Sequence, residues 1–231
     1  ACSVAGIIIG TVTLTGNGLE LATGLLNLSG GIPIIALFLT MIACIILGMG
    51  VPITANYVIM ATITAPIVVR LGIPLMAAHM FVFYFGIVAD ITPPVALAAY
   101  AGAASAKSNT LKTAITATRL AITAFIIPYI FALSPNLLLT PAALSNPVML
   151  LETVFIVVTS FVGMLGISAG MEGFMFKLMP FWQRIAAIIG GLLLIYPGWV
   201  TDLIGFGLVG AVFAHQYFTG KAGGTGPVTV S

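Results

Sequence analysis

Apolar residues dominate this chain in long runs, with neither the one-sided period of a surface helix nor the alternation of a half-buried strand. From Leu21 to Val69 there is no Asp, Glu, Lys, Arg or His. Residues 71–89, 120–151, 153–171, 185–201 and 203–220 each lack Asp, Glu, Lys and Arg. A helix that crosses a bilayer needs about 20 predominantly apolar residues. Runs that are apolar on every side fit such helices and not the alternation of a membrane β-barrel. The pattern predicts a remnant of a spanning helix over 2–15 and an interfacial segment over 18–29, whose one charge is Glu20. Further segments follow at 32–47, 55–69, 75–89, 95–105, 110–133, 147–168, 181–196 and 199–218. Trp182, Tyr196, Trp199 and Tyr217 stand near segment ends, as interfacial aromatics do.

Two of the runs are interrupted where a plain helix would not be. GMGVPITANY, residues 48–57, places Gly48, Gly50, Pro52, Thr54 and Asn56 inside the longest uncharged stretch. Each flanking arm is about 15 residues, short of a 30 Å core at 1.5 Å per residue. The arms read as a re-entrant hairpin over 32–70, or as two tilted spans joined by a tight external turn. The second interruption is Asp90-Ile91-Thr92-Pro93-Pro94, which divides a discontinuous helix over 75–106. Thr92 before Pro93 suits the start of a new half-helix, with Thr as N-cap and Pro at the first helical position.

Irregular backbone at membrane depth is tolerated only where protein or a water-filled cavity covers it. Two such breaks close together in sequence are the mark of a transporter site made from discontinuous helices. Half-helix ends supply carbonyls for a small cation, and half-helix starts supply N–H groups for an anion. Thr54, Asn56 and Thr92 add neutral oxygens without burying a charge. Asp90 suits an ion site and a packed structural carboxylate equally well. His79 reads as structural and His215 as interfacial.

Composition sharpens the class. Of 231 residues, 61% are hydrophobic and 5% charged, against roughly 25% charged in soluble domains. Mean hydropathy is +1.24. The chain is an all-α, polytopic membrane protein. Its net charge of +2 forms no basic stripe, so nucleic acid is not an expected partner. Cys2 and Cys44 have no His/Cys cluster around them, so neither a metal site nor a disulfide framework is expected, and no cofactor. A nucleophile elbow, a Walker loop, a zincin pair and a CxxC motif are all missing, and the five acidic residues are scattered, which argues against an enzyme. Lys107, Lys112, Lys177, Arg184 and Lys221 fall on one side and Arg70 on the other. The positive-inside rule makes the richer side cytoplasmic. The chain starts in mid-hydrophobic stretch without Met, as a piece of something longer would, and GKAGGTGPVTVS at 220–231 reads as a flexible cytoplasmic tail.

The linked motifs GMGVP…Y and ADITPPVALAAYA, within a stretch from Leu47 to Leu139, resemble the large membrane component of TRAP transporters, the tripartite ATP-independent periplasmic transporters. The resemblance is greatest to fused permeases that work with TAXI-type periplasmic binding proteins. It covers most of 1–140 and extends more weakly over 147–218, where YPGWVTDLIG resembles the permease tail. It implies the C-terminal half of a multi-pass inner-membrane permease, one repeat of an elevator-type secondary transporter. Residues 1–140 would be the second repeat, with the hairpin at 32–70 and the broken helix at 75–106. Residues 141–219 would add further transmembrane helices. The tip Gly48–Asn56 and the break Asp90–Pro94 would face each other around a cation, with sodium at Gly48, Gly50 and Thr92 and protons as the alternative coupling ion. A substrate carboxylate, from an organic acid anion delivered by the binding protein, would meet Thr54 and Thr92. The partners implied are the TAXI-type binding protein, the first repeat, the small membrane subunit and the bilayer. A non-transporting membrane scaffold or assembly subunit is the alternative reading.

Overall fold

The structure is a computed structural model that describes residues 7, 10–11, 14–138 and 147–222. Most of the segment 2–15 and residues 223–231 of the tail therefore lie outside the described residues. Among those described there is no strand, only one isolated β-bridge between Phe174 and Leu178. The fold is all-α, as the apolar runs require. It divides into two compact units, Ala1–Leu150 and Leu151–Ser231.

In the first unit, α1 (Asn17–Leu28) leads into α2 (Pro33–Gly48). Pro33 starts α2 at a position where its missing N–H costs nothing. The helix buries Ala36, Leu37, Thr40, Cys44 and Gly48, a stripe at roughly four-residue spacing, and leaves Ile34, Phe38, Ile42 and Ile46 exposed. After Gly48 the chain turns through Met49 in extended conformation and Gly50 at φ +77°. The left-handed region suits glycine because it lacks a Cβ. Then α3 (Ile53–Ile63) and α4 (Ala65–Arg70) run back. The step between them at Thr64 has a covalent cause: Pro66 cannot donate to the Thr62 carbonyl. Cys44 Sγ meets Thr64 Oγ1 at 3.3 Å, and Gly48 packs against Asn56. Those two contacts set the arms antiparallel.

The post of this unit is α5 (Leu75–Val88). It buries Ala77, Ala78, Phe81, Val82, Phe85, Gly86 and Val88, and packs on α2, α3, α4 and α8 (Ile122–Leu133). Phe81, Phe85 and Tyr129 form an edge-to-face triad with centroids 4.9, 5.5 and 5.8 Å apart. Such pairs add about 0.5–1.5 kcal/mol each beyond burial. A 3-10 turn, Ala89–Ile91, closes α5, and α6 (Leu97–Ser105) follows the break. The expected span at 110–133 is two helices, α7 (Thr110–Leu120) and α8, bent by 41° at Ala121. Neither Gly nor Pro stands at that bend, so the sequence carried no signal for it.

The second unit holds α9 (Pro147–Glu172, begun in the first unit), α10 (Phe181–Ile195) and α11 (Trp199–Ala222). Residues 220–222, read as the start of the tail, are the last of α11. These helices meet through glycines. A Cβ on Gly191 would lie 2.5 Å from the Gly163 carbonyl, one on Gly170 2.8 Å from the Arg184 carbonyl, and one on Gly205 2.8 Å from the Gly190 carbonyl. Small residues at such seams let backbones approach where no hydrophobic drive exists between helices in lipid. Gly207 and Gly210 take no part, with nothing within 4 Å of a Cβ. Arg184 tightens the seam by donating from Nε to the Gly170 carbonyl and from Nη2 to the Met171 carbonyl, each at 2.9 Å. Buried Gln216 donates to Gln183, which bonds His215 Nδ1 at 2.9 Å.

By length and composition, two described helical stretches can cross a membrane, Ile53–Arg70 and Pro147–Glu172, or three if the bent pair Thr110–Leu120 and Ile122–Leu133 is one span. The seam makes a measurable claim. Gly191→Ala should cost about 1–3 kcal/mol through overpacking, seen as a lower unfolding temperature in detergent. Gly207→Ala, on an open helix face, should gain about 0.5–1 kcal/mol by removing a helical glycine.

Candidate functional site

The hairpin turn and the broken helix lie against each other. Gly48, at the end of α2, is the closest point: a Cβ there would stand 2.7 Å from Asn56 Nδ2 and 3.0 Å from the Ala89 Cβ. Across the gap, a Cβ on Gly86 would stand 3.1 Å from the same Nδ2. At the tip, a Cβ on Gly50 would lie 3.6 Å from Val95. Two glycines thus clear room for one amide. Asn56 is 1% exposed, and its Nδ2 donates to the Gly86 carbonyl at 3.0 Å. Its Oδ1 is buried and accepts from no donor among the described residues. The amide cannot be turned to cure this, because Oδ1 would then face the Gly86 oxygen. A buried acceptor left unpaired costs about 1–3 kcal/mol.

The remaining predicted residues are distributed around this point. Pro52 is exposed, and its carbonyl accepts the Asn56 N–H at 2.9 Å, closing the first turn of α3. Thr54 is exposed in that turn. Asp90 is half-buried in the 3-10 turn. Pro93 and Pro94 are joined by a cis peptide bond, and Tyr100 Oη donates to the Pro94 carbonyl at 2.6 Å.

Thr92 is not the N-cap of the second half-helix. Its Oγ1 donates back to the Val88 carbonyl at 2.8 Å, so it closes the end of α5. A threonine hydroxyl readily bonds four residues back, and that use leaves none for a helix ahead. The N-cap of α6 is Ala96, in left-handed conformation at φ 33° and fully buried. Its N–H donates to the Thr92 carbonyl at 3.1 Å. The second half-helix thus starts at Leu97, four residues beyond Pro93.

Four residues that sequence reasoning passed over complete the arrangement. Gly86 lies against the Asn56 amide, Ala89 lies against Gly48, and Val95 faces the tip. Thr118 Oγ1, on α7, shares its one proton between the Ile91 carbonyl at 2.9 Å and the Ala114 carbonyl at 3.0 Å, and the first of these ties α7 to the break across 27 residues of chain. Ala89 and Val95 lie within the ADITPPVALAAYA motif but carried no site role there, while Gly86 sits in an ordinary apolar run and Thr118 in no motif. His79 is paired elsewhere: Nδ1 lies 3.0 Å from Tyr57 Oη, two helical turns before Gly86. No group of three His, Cys, Asp or Glu gathers among the described residues.

Chemically, the site offers backbone poles. The C-terminal ends of α2 and of the 3-10 turn bring carbonyls, and the starts of α3 and α6 bring N–H groups, neither start having a side-chain cap. Such termini carry partial charges of opposite sign. Residues 1–146 match the family described as the tripartite ATP-independent periplasmic transporter, DctM component. The chain belongs to this family. It is a membrane component of a transporter, in a family that is not one of enzymes. No curated protein matches the chain, and no solved structure does. For a DctM-family chain, the tip–break contact is the part of the first unit where irregular backbone from two elements meets.

Two experiments probe it. Gly48→Ala should cost about 1–3 kcal/mol by driving a methyl into Asn56 and Ala89, and Asn56→Ala in that background should recover part of the loss, because the two sites are coupled. Thr118→Val should cost about 1 kcal/mol through the lost bond to Ile91. Both are read from thermal unfolding of the purified protein.

Proposed function

We propose that this chain is the C-terminal half of the large component of a cation-coupled TRAP permease. In this reading the permease imports organic acid anions handed over by a TAXI-type periplasmic binding protein. The first repeat and the small membrane subunit complete it in the bacterial inner membrane.

One observation carries the site: Asn56 presents a buried, unpaired oxygen at the point where the hairpin end and the broken helix meet. A buried acceptor without a donor is what a desolvated cation would satisfy. Neutral oxygens from an amide and from helix C-termini suit a monovalent ion such as sodium, as in transporters with discontinuous helices. The ion would join Asn56 Oδ1 with carbonyls at Gly48, Gly50 and Thr92. The substrate carboxylate would lie on the side of the α3 and α6 starts, near Thr54, Thr92, Pro93 and Pro94, where uncapped N–H groups favour an anion. Pro52 would hold the turn that aims those groups. Cation binding would then stiffen the hairpin against α5, and the two would travel across the membrane as one block. The hairpin is read as re-entrant on its first arm, since α2 has 16 residues, about 24 Å of helix, whereas the returning stretch Ile53–Arg70 is long enough to cross.

The test is uptake by proteoliposomes that contain the complete permease and its binding protein. A panel of radiolabelled organic acids is offered with a sodium gradient, then with a proton gradient alone. The expected result is sodium-driven accumulation. Asn56→Ala should raise the half-saturating sodium concentration about tenfold, since bonds to charged groups are worth roughly 1.5–3 kcal/mol. Unchanged uptake and unchanged cation dependence in both Asn56→Ala and Thr92→Ala would overturn the site. Uptake on a proton gradient alone would shift coupling to Asp90 and His79. No uptake from a folded, correctly oriented complex would favour the scaffold reading.

A further inference from the structure

Asn56 is not the only residue of α3 that reaches α5. Its neighbour Tyr57 places Oη 3.0 Å from His79 Nδ1. The Tyr57 ring also stands edge-on to Phe83, with centroids 5.5 Å apart and planes at 88°. His79, Phe83 and Gly86 are spaced i, i+4 and i+7, so they form one stripe along α5. The stripe meets Tyr57 at its first two members and Asn56 at its third. Asn56 is buried, and Tyr57 is half-buried at the edge of the buried face of α3. His79 stands in a run, residues 71–89, without Asp, Glu, Lys or Arg. An ionisable side chain in such a segment points to a use and to a named partner. The partner here is Tyr57.

The two contacts constrain Asn56 differently. The bond from Nδ2 to the Gly86 carbonyl fixes one atom of the amide. An amide held at one atom still swings about it as its helix rolls. Successive residues on a helix point about 100° apart, so a second tie from residue 57 opposes that roll. A hydrogen bond is directional and an edge-on ring pair is oriented. The pair therefore fixes roll where aliphatic packing would let α3 slip. Either tautomer of His79 makes the bond, Nδ1 accepting from the hydroxyl or donating to it, so the tie needs no change of charge.

We infer that Tyr57 and His79 are positioning residues for the cation, holding α3 at the roll that aims Asn56 Oδ1 at it. Neither touches the ion. The inference rests on the cation site proposed above.

The test uses proteoliposomes of the complete permease and its binding protein, with uptake measured against sodium concentration. Melting of the purified variants confirms that they fold. Tyr57→Phe keeps the ring against Phe83 and removes only the hydroxyl. It should raise the half-saturating sodium concentration about fivefold, the worth of one neutral hydrogen bond, with uptake at saturating sodium unchanged. In the Asn56→Ala background Tyr57→Phe should add no further shift, because no oxygen is left to aim. His79→Asn, whose amide ends at the level of Nδ1, should retain the sodium dependence of the wild type. His79→Gln, whose amide ends at the level of Nε2, should shift it as Tyr57→Phe does. An unchanged half-saturating concentration in Tyr57→Phe would refute the positioning role, and so would the same shift with and without Asn56. Uptake lost in His79→Asn at every sodium concentration would refute it too, since the charge of the ring and not its bond would then be what transport needs. Wild-type sodium dependence in Asn56→Ala alone would leave the pair nothing to aim and end the positioning role. Only if Thr92→Ala were also unchanged would the cation site fall with it.

Discussion

One amide ties the first unit together. Asn56 reaches from the returning arm of the hairpin to the Gly86 carbonyl, and it fits only because Gly48 and Gly86 have no Cβ. In a low-dielectric interior such a bond is strong, and an unmet polar group is correspondingly costly. The bond sets the height of the hairpin turn relative to α5, so the tip stops opposite the break and not above or below it. The packing of Gly50 against Val95 follows from that height. The unpaired Oδ1 is the consequence left over, and it concentrates the chemistry of the unit in one place.

Around that amide, packing and polarity divide the work. The aromatic triad of Phe81, Phe85 and Tyr129 holds α8 against α5, and the arms of the hairpin close on its other faces. These contacts hold the post rigid while the ends of α2, α3, α5 and α6 stay irregular. Irregular backbone inside lipid survives only when protein covers it. The break is covered from α7 through Thr118 and Ile91, and from within by Tyr100 on Pro94. Every bond in this set runs to a backbone carbonyl, so the break is held in shape by side-chain donors and not by charge.

The second unit solves its packing by a different means. Its helices approach through Gly163, Gly191, Gly170 and Gly205, and the buried glutamines cross-link two of them. Where the glycine stripe of α11 turns away from the seam, at Gly207 and Gly210, the absence of a side chain leaves space instead of contact. The same residue type thus closes one face of a helix and opens another.

The sequence by itself determined the class of molecule, the approximate helices and the two interruptions. Long uncharged runs have one stable form in lipid, Gly48 and Gly50 weaken a regular helix, and Pro52 and the Pro93-Pro94 pair interrupt it. Belonging to a transporter family was legible in the same two motifs. Tertiary structure decided what those interruptions touch. Asn56 could be read as a candidate ligand near a tip; its burial against Gly86, 30 residues further along the chain, came only with the fold. Thr92 had two local uses, and the Val88 carbonyl took its hydroxyl, moving the start of α6 to Leu97. The bend at Ala121 and the Thr118 bond have no local signal at all. Helix propensity and breakers act over neighbouring residues, whereas the partner of a buried polar atom is chosen by which elements fold against it.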